Sequence, residues 1–335
     1  MKFKLSVLVA SAIAMAVMAT IPAAAQQTSG SAAPLKGSSA NSMRISPVRT
    51  DIALDPGSSK TIEVFAQNLT PTTVQVRAAL SDFQASNDES GTPLVILDDE
   101  YAKSHSLRRL ANIAPATLTL SPNQRASVKV TITAPKSAMA GGYYGAVRFL
   151  PADSADSEGS GVAVATNIGS LVLLKINGET KQDLKLESFD IRQKDKAGSF
   201  FKTPDDLKVV VRFNNKGNIQ EQPFGKVQIK DRSGKIVEEH EINNTSPRGN
   251  VLPDSIRRFE VDLKKIGKFG KYTVEGNFGY GAGETITTKA TFWVVPTTYI
   301  IGGIVGLLLL AGVIFLIVKV IVLSRGGRRP GPRRY

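Results

Sequence analysis

Apolar and polar residues alternate along most of this chain, which is the pattern of strands with one buried face. Residues 60–68 place Ile62, Val64 and Ala66 on one side. The same alternation occurs in residues 73–83, 125–134, 207–213, 272–278 and 286–294. No long stretch before residue 298 has the helical period of 3.6, so the pattern predicts an all-β protein up to that point.

Turn residues separate these stretches at intervals of about eight to twelve residues. Asp55-Pro56-Gly57 is one such turn, because proline presets one turn residue and glycine permits positive φ at the next. Asp231-Arg232-Ser233-Gly234 predicts a hairpin. Short strands at this spacing are typical of β-sandwiches. We therefore predict two tandem immunoglobulin-like sandwiches, residues 43–178 and 179–297.

One stretch departs from the period of two. Residues 299–323 read YIIGGIVGLLLLAGVIFLIVKVIVL, with Lys319 as the single charge. As a helix they rise roughly 37 Å, enough to cross a hydrocarbon core of about 30 Å. The alternative is a buried core helix, but a run this long with a basic flank is rare in soluble domains. The pattern predicts a transmembrane helix over residues 298–323.

The tail after this helix, residues 324–335, is basic. Its five arginines are Arg325, Arg328, Arg329, Arg333 and Arg334. Basic residues beside a span stay in the cytoplasm, so the preceding domains are predicted to lie outside the cell membrane. Lys319 lies near enough to that inner face for its charge to reach the headgroups.

The N-terminus has the features of a secretory signal peptide over residues 1–25. A short basic start precedes an apolar run, and Ala23 and Ala25 form a small-residue cleavage site. An uncleaved anchor is the alternative. Residues 26–42, rich in Ser, Ala, Gly and Gln, predict a flexible leader. The chain has no cysteine, so burial has to stabilise the outer part without disulfides.

The net charge of +13 reflects the predicted membrane topology of the chain more than a basic binding surface. The signal peptide, helix and tail contain eight basic residues and no acidic ones; removing them from the 42 basic residues leaves 34 against 29 acidic residues. A nucleic-acid-binding protein concentrates basic charge on its working domain, so we predict no nucleic-acid partner.

Catalytic and metal-binding patterns are absent from the sequence. His105 and His240 fall in different predicted domains, with neither metal-ligand spacing nor a nucleophile elbow nearby. The acidic run Asp98-Asp99-Glu100 matches no defined calcium loop and is better read as solvated. We therefore predict a protein that is not an enzyme and that uses no cofactor or metal.

Tyr143 and Tyr144, flanked by glycines in GGYYG, are the residues with the clearest binding potential. Adjacent tyrosines can stack on a sugar ring or contact a partner protein. The competing interpretation is a strand that enters the sheet with one tyrosine packed and the other exposed.

Two segments resemble the first domain of bacterial WxL-interacting proteins. RISPVRTDIALDPGSSKTIEVFAQNLTPTTVQV (residues 44–76) is similar to its opening, and ITAPKSAMAGGYYGAVRF (residues 132–149) to its closing strand. The first-domain fold is also similar to that of pilus chaperones. The second half, including RFNNKGNIQEQPFGKVQIKDRSGKIV (residues 212–237), resembles a membrane-proximal immunoglobulin-like domain of bacterial surface proteins. The resemblance implies a first domain that contacts peptidoglycan and a second that meets other proteins.

These observations predict a bacterial, single-pass cell-surface protein that binds cell wall glycan, another surface or secreted protein, or both. One alternative is a membrane-anchored assembly chaperone that pairs an edge strand with a secreted or pilus-like subunit. A second is an accessory subunit of a membrane complex.

Overall fold

The chain forms two β-sandwiches followed by one long helix, as the alternation of apolar residues predicts. The computed structural model describes residues 42–96, 100–152 and 168–325. The strands of the first sandwich are β1 (Met43–Ser46), β2 (Arg49–Leu54), β3 (Ser59–Asn68), β4 (Val74–Ala85), β5 (Pro93–Val95), β6 (Ala111–Ala114), β7 (Thr117–Leu120), β8 (Arg125–Thr133), β9 (Gly141–Pro151) and β10 (Ile168–Ile176).

The first sandwich consists of two sheets packed over one apolar core. One sheet has the order β1-β3-β8-β6, and the other β2-β10-β9-β4-β5, with β7 also paired to β4. The chain leaves the first sheet after β1 and joins the second as β2, which pairs in parallel with β10. The buried positions are the alternating ones of the sequence, such as Val64 and Ala66 in β3 and Val128, Val130 and Ile132 in β8.

The irregular region between β5 and β6 is attached to the sheet by a buried aspartate. Asp82 of β4 accepts hydrogen bonds from the backbone amides of Ala102 (3.0 Å) and Arg108 (2.9 Å) and from the Ser106 hydroxyl (2.6 Å). A short 3₁₀ helix follows at Arg108–Leu110. One fully buried carboxylate therefore fixes the described part of this loop at three points, beside the fully buried Leu107.

The second sandwich repeats the two-sheet design. Its strands are β11 (Leu184–Gln193), β12 (Lys196–Ala197), β13 (Phe200–Phe201), β14 (Leu207–Asn215), β15 (Phe224–Lys230), β16 (Ile236–Ile242), β17 (Ser255–Asp262), β18 (Gly270–Tyr280) and β19 (Glu284–Val294). The sheet orders are β12-β11-β14-β17 and β13-β19-β18-β15-β16. Phe213 and Phe278 meet edge to face at 5.2 Å in the core between these sheets.

A buried asparagine ends one strand in each sandwich and organises the turn that follows. Asn68 donates to the carbonyls of Thr72 and Leu120 and accepts from the amide of Thr70. Asn215 has the same pattern in the second sandwich, described below. The two halves share this device although their sequences do not align.

The helix α1 spans Thr297–Arg325, and two residues connect it to the end of β19. Thr297–Leu323 is long and apolar enough to cross a membrane, and none of it is buried against the rest of the protein. The short connection through Pro296 leaves almost no stalk between the second sandwich and the helix.

Candidate binding site between the two sandwiches

The two sandwiches meet where a turn of the first lies on a sheet of the second. Glu89, in the turn between β4 and β5, receives hydrogen bonds from Arg212 Nε to Oε2 (2.7 Å) and from Arg212 Nη2 to Oε1 (2.5 Å). Its backbone carbonyl accepts from the amide of Arg258 (2.8 Å). The hydrogen bonds from Arg212 lower the pKa of the Glu89 carboxyl below 4.5, although partial burial opposes this shift. This paired charge holds the sandwiches together at one side of a cleft.

The cleft beside this ion pair has a volume of about 290 Å³ and is lined by both sandwiches. Its floor is apolar, because Phe83 and Leu173 of the first sandwich pack there with Leu252 of the second. Arg49 enters from β2, while Arg248 and Arg257 come from the second sandwich. Three guanidinium groups therefore line an apolar-floored cleft.

Arg49 links the two sides of the cleft. Its Nη1 donates to the carbonyl of Arg248 (3.1 Å), and its Nη2 forms an ion pair with Asp51 (2.7 Å). The Arg49 side chain is 13% exposed, and its Nε has no hydrogen-bond partner among the described residues. Arg49 therefore contributes a guanidinium group to the cleft wall, and one of its donors is buried without a partner among the described residues.

The other two arginines have no carboxylate within ion-pair distance in the described part of the chain. Arg257 donates to the carbonyl of Asn250 (2.8 Å) and packs on the Phe259 ring. Burial lowers the pKa of Arg257, because the desolvated cation lacks a compensating anion. Arg248 lies 3.9 Å from the centre of the Phe224 ring. The cleft thus carries positive charge that the described residues do not neutralise.

A larger depression of about 550 Å³ lies over β15, β18 and β19, but its charges are paired within the protein. Lys226 contacts Glu239 at 2.8 Å, and Glu275 contacts both Lys230 and Lys289. An incoming charged ligand would have to displace these partners. We therefore take the smaller cleft, with its unneutralised arginines, as the candidate site.

Tyr143 and Tyr144 lie beside the junction of the sandwiches, and only one ring reaches solvent. Tyr144 is buried, and its hydroxyl donates to Gln220 Oε1 of the second sandwich (2.8 Å). Burial raises the pKa of both tyrosines. Tyr143 is half-buried and donates to the carbonyl of Met139 (3.0 Å). Contact with a partner or a glycan through this pair stays a prediction, and the half-exposed Tyr143 is its better candidate.

The glycines before these tyrosines permit the sandwiches to approach closely. The Gly142 amide donates to the carbonyl of Asn218 (2.8 Å), and Asn218 Nδ2 donates to the carbonyl of Ala140 (3.0 Å). A Cβ at Gly142 would fall 2.0 Å from the Tyr144 hydroxyl and 3.0 Å from Gln220 Oε1. The GGYYG segment is therefore part of the contact between domains.

Replacing Gly142 by alanine is expected to weaken this contact by about 1 kcal/mol, because the methyl group displaces the Tyr144 hydroxyl from Gln220. Hydrogen exchange of the backbone amide at position 142, which donates to the Asn218 carbonyl, should accelerate about fivefold relative to the intrinsic rate of that residue. Gly198→Ala is the matched control, since its Cβ would make only ordinary contact with Phe201. Equal exchange in the two variants would contradict the assignment.

Both histidines have structural partners. His105 Nδ1 lies 2.6 Å from the carbonyl of Gly142, and His240 Nε2 lies 2.7 Å from Glu238 Oε1. No group of three His, Asp or Glu residues with the geometry of a metal site occurs among the residues described. Asp98 and Asp99 of the acidic run lie outside the described residues.

The remaining predicted residues concern targeting and anchoring. Lys319 lies on the exposed surface of α1, and Arg325 is its last residue. Four arginines of the tail and both predicted cleavage-site alanines lie outside the described residues: Arg328, Arg329, Arg333, Arg334, Ala23 and Ala25. The signal peptide, the orientation of the helix and the cytoplasmic tail stay predictions.

Sequence reasoning did not find Glu89 or the three arginines of the cleft. Arg49 and Arg248 are 199 residues apart, and neither belongs to a recognisable local motif. Only the folded arrangement brings these residues together, and no local spacing in the sequence indicates that they share a site.

No family model matches the chain, and a search of curated proteins found no match. The resemblance to WxL-interacting proteins therefore has no support from family models. Among solved structures, the chain is similar to the class 5 fimbriae chaperone CfaA, at 13% identity and a TM-score of 0.34 over 75% of this chain and 98% of that one. It is also similar to the Pseudomonas aeruginosa chaperone CupB2, at 13% identity and a TM-score of 0.34 over 73% and 98% of the two chains.

A third similar structure is the E. coli chaperone DraB, at 13% identity and a TM-score of 0.32 over 76% of this chain and 98% of that one. These three neighbours are chaperones, which is the kind of protein that the secondary resemblance in the sequence names.

Proposed function

We propose that this protein is a single-span envelope protein that binds a segment of another extracytoplasmic protein in the cleft between its sandwiches. The observation that carries the proposal is the set of three arginines around an apolar floor, of which only Arg49 has a carboxylate partner among the described residues. A polypeptide segment with an acidic group and an apolar side chain complements both features. The helix α1 anchors the protein, with the sandwiches outside the membrane.

A photo-crosslinking experiment in the cells that make the protein tests this proposal. A photoreactive residue at Thr92, on the rim of the cleft, is compared with one at Thr287, in the larger depression. We expect a discrete protein adduct from position 92 alone, and at least a fivefold loss of that adduct with Arg248→Gln. Arg44→Gln, an exposed arginine of the first sandwich, is the control.

The same experiment separates protein binding from wall binding. An adduct that carries glycan strands would favour the peptidoglycan-binding alternative. Equal adducts from positions 92 and 287 would reject the cleft as the site. We place protein binding first because the tyrosine pair offers one half-exposed ring for a sugar, whereas the cleft offers unneutralised charge.

The assembly-chaperone alternative is favoured by one feature of β10. Its pairing with β2 begins at Leu171, and the Leu171 amide donates to the carbonyl of Val48 (2.9 Å). Gly169 lies two residues before Leu171, so its backbone N–H and C=O point to the same side of β10, away from β9. No strand pairs with them on that side among the described residues. In a chaperone, the Gly169 amide should gain protection from hydrogen exchange in the complex, whereas cleft binding protects residues 248–252 instead.

A further inference from the structure

A loop of the second sandwich lies directly beside the first turn of the helix. This loop, residues 263–269, connects β17 to β18. The segment 263–270 also includes Gly270, the first residue of β18, which lies opposite the end of β19 at Val294. The ring of Phe269 lies 5.2 Å from the ring of Tyr299 in α1. The loop is therefore at the end of the sandwich from which the helix departs.

The loop alternates between anchoring and exposed residues. Leu263 and Ile266 are buried in the core of the sandwich. The remaining side chains of the loop point to solvent: Lys264, Lys265, Lys268 and Phe269. The two buried residues hold the loop on the sandwich, so its exposed face carries three cations and one aromatic ring.

Hydrogen bonds from the backbone amides of this loop hold it in place, and the carboxylate of Glu238 accepts two of them. Glu238 accepts from the amides of Lys264 (3.1 Å to Oε1) and Lys265 (2.9 Å to Oε2), and its Oε1 also lies 2.7 Å from His240 Nε2. The Gly267 amide donates to the Tyr272 hydroxyl (2.8 Å). The three lysine ammonium groups have no ion-pair partner among the residues described.

A second exposed aromatic feature lies at the same end of the sandwich. Phe200 of β13 is 72% exposed and stacks on Trp293 of β19, with ring centres 6.5 Å apart and planes within 5°. Lys271 Nζ lies 5.7 Å from the centre of the Trp293 ring. A partly exposed aromatic pair with an adjacent lysine is typical of segments at the interface of a membrane, where amphipathic rings and basic side chains meet headgroups.

The net charge at this end of the second sandwich favours contact with an anionic surface. The segments 193–206 and 262–271 contain seven lysines, namely Lys194, Lys196, Lys202, Lys264, Lys265, Lys268 and Lys271. They contain four acidic residues, namely Asp195, Asp205, Asp206 and Asp262. The excess is therefore positive, and lysines near a bilayer with anionic lipids are attracted to it over a Debye length.

We propose that residues 263–270 and the Phe200–Trp293 pair form a membrane-contact surface that rests on anionic lipid headgroups of the bilayer crossed by α1. The inference depends on the anchoring by α1 given under the proposed function. The contact of Phe269 with Tyr299 places this surface beside the first turn of α1. The contact fixes the tilt of the second sandwich and thereby the direction in which the cleft faces.

Trp293 is the one tryptophan in the chain, so its fluorescence reports on this surface alone. The full chain is placed in nanodiscs of phosphatidylcholine, with or without about a third of phosphatidylglycerol, and with a quencher-labelled headgroup. We expect quenching of Trp293 to be about twofold stronger in the anionic discs and to weaken as salt is raised. The salt titration needs no variant and so does not depend on folding of a mutant.

The variant K264Q/K265Q/K268Q should lose the difference between anionic and neutral discs. The control K60Q/K129Q/K136Q removes three exposed lysines from the first sandwich and should retain it. Equal quenching in both discs, with the chain inserted, would overturn the membrane-contact surface but leave the anchor intact. A chain that fails to float with lipid vesicles would overturn the anchor itself, and with it this inference.

Discussion

Asn215→Ala is expected to lower the free energy of unfolding of the second sandwich by about 3 kcal/mol. The side chain is fully buried and donates to the carbonyls of Ile219 (2.7 Å) and Val251 (2.9 Å). Its Oδ1 accepts from the amide of Gly217 (2.9 Å). Alanine leaves the Ile219 carbonyl and the Gly217 amide without partners in a place that water reaches poorly, and the Val251 carbonyl keeps only its bond from the Glu221 amide (3.0 Å). Each buried backbone group left without a partner costs about 1 kcal/mol or more.

Thermal unfolding followed by Trp293 fluorescence measures this loss, because that tryptophan lies in the second sandwich. Asn277→Ala is the control, since Asn277 is an exposed residue of β18. Asn68→Ala, the counterpart in the first sandwich, should destabilise that sandwich and leave the Trp293 transition less affected. A loss from Asn215→Ala no larger than that from Asn277→Ala would refute the role of the buried network.

Reversing either charge of the Glu89–Arg212 pair is expected to weaken the association of the sandwiches by about 2 kcal/mol. Both side chains are less than a quarter exposed, so solvent screens the two-point contact only in part. The double variant E89R/R212E should recover most of the loss, because it restores opposite charges. Protection of the Arg258 amide, which donates to the Glu89 carbonyl, is the measurement.

Lys208→Glu provides the matched control for this cycle. Lys208 contacts Glu260 at 2.9 Å on the same sheet, but both residues belong to the second sandwich. Its reversal should leave the Arg258 amide protected. If E89R/R212E is no better than either single variant, the ion pair does not hold the two sandwiches together.

The same pair makes the contact depend on pH. Because Arg212 lowers the pKa of the folded Glu89 carboxyl below 4.5, the contribution is complete above that value and declines as the pH falls through the lowered pKa. Glu89→Gln should abolish this acid step. A contact that weakens equally with acid in the wild type and in Glu89→Gln would assign the step to another group.

Much of the architecture could be predicted from the sequence, because strand alternation and turn chemistry are local properties. The predicted strand over residues 60–68 is β3, and the turn at Asp55-Pro56-Gly57 is present, with Gly57 at a φ of 85°. The long apolar run is helix α1. The short strands β12 and β13 escaped prediction, because two residues cannot show a period.

The candidate site could not be predicted in the same way. The strands that carry Arg49 and Arg257 each look ordinary, and the cleft exists only because a turn holding Glu89 reaches Arg212 in the other sandwich. In the sequence, the glycines of GGYYG flank two tyrosines that are predicted to form a binding surface. They also serve the contact between domains, which depends on Asn218 from a distant segment.

The sequence alone determined the fold class, the two-sandwich order and the apolar helix, since each follows from the period of apolar residues within one segment. The tertiary structure alone decided which charges remain without partners and where the sandwiches touch. Pairing and burial of a charge depend on residues far apart in the chain. For that reason the arginines of the cleft and the lysines beside α1 became candidates only in the folded protein.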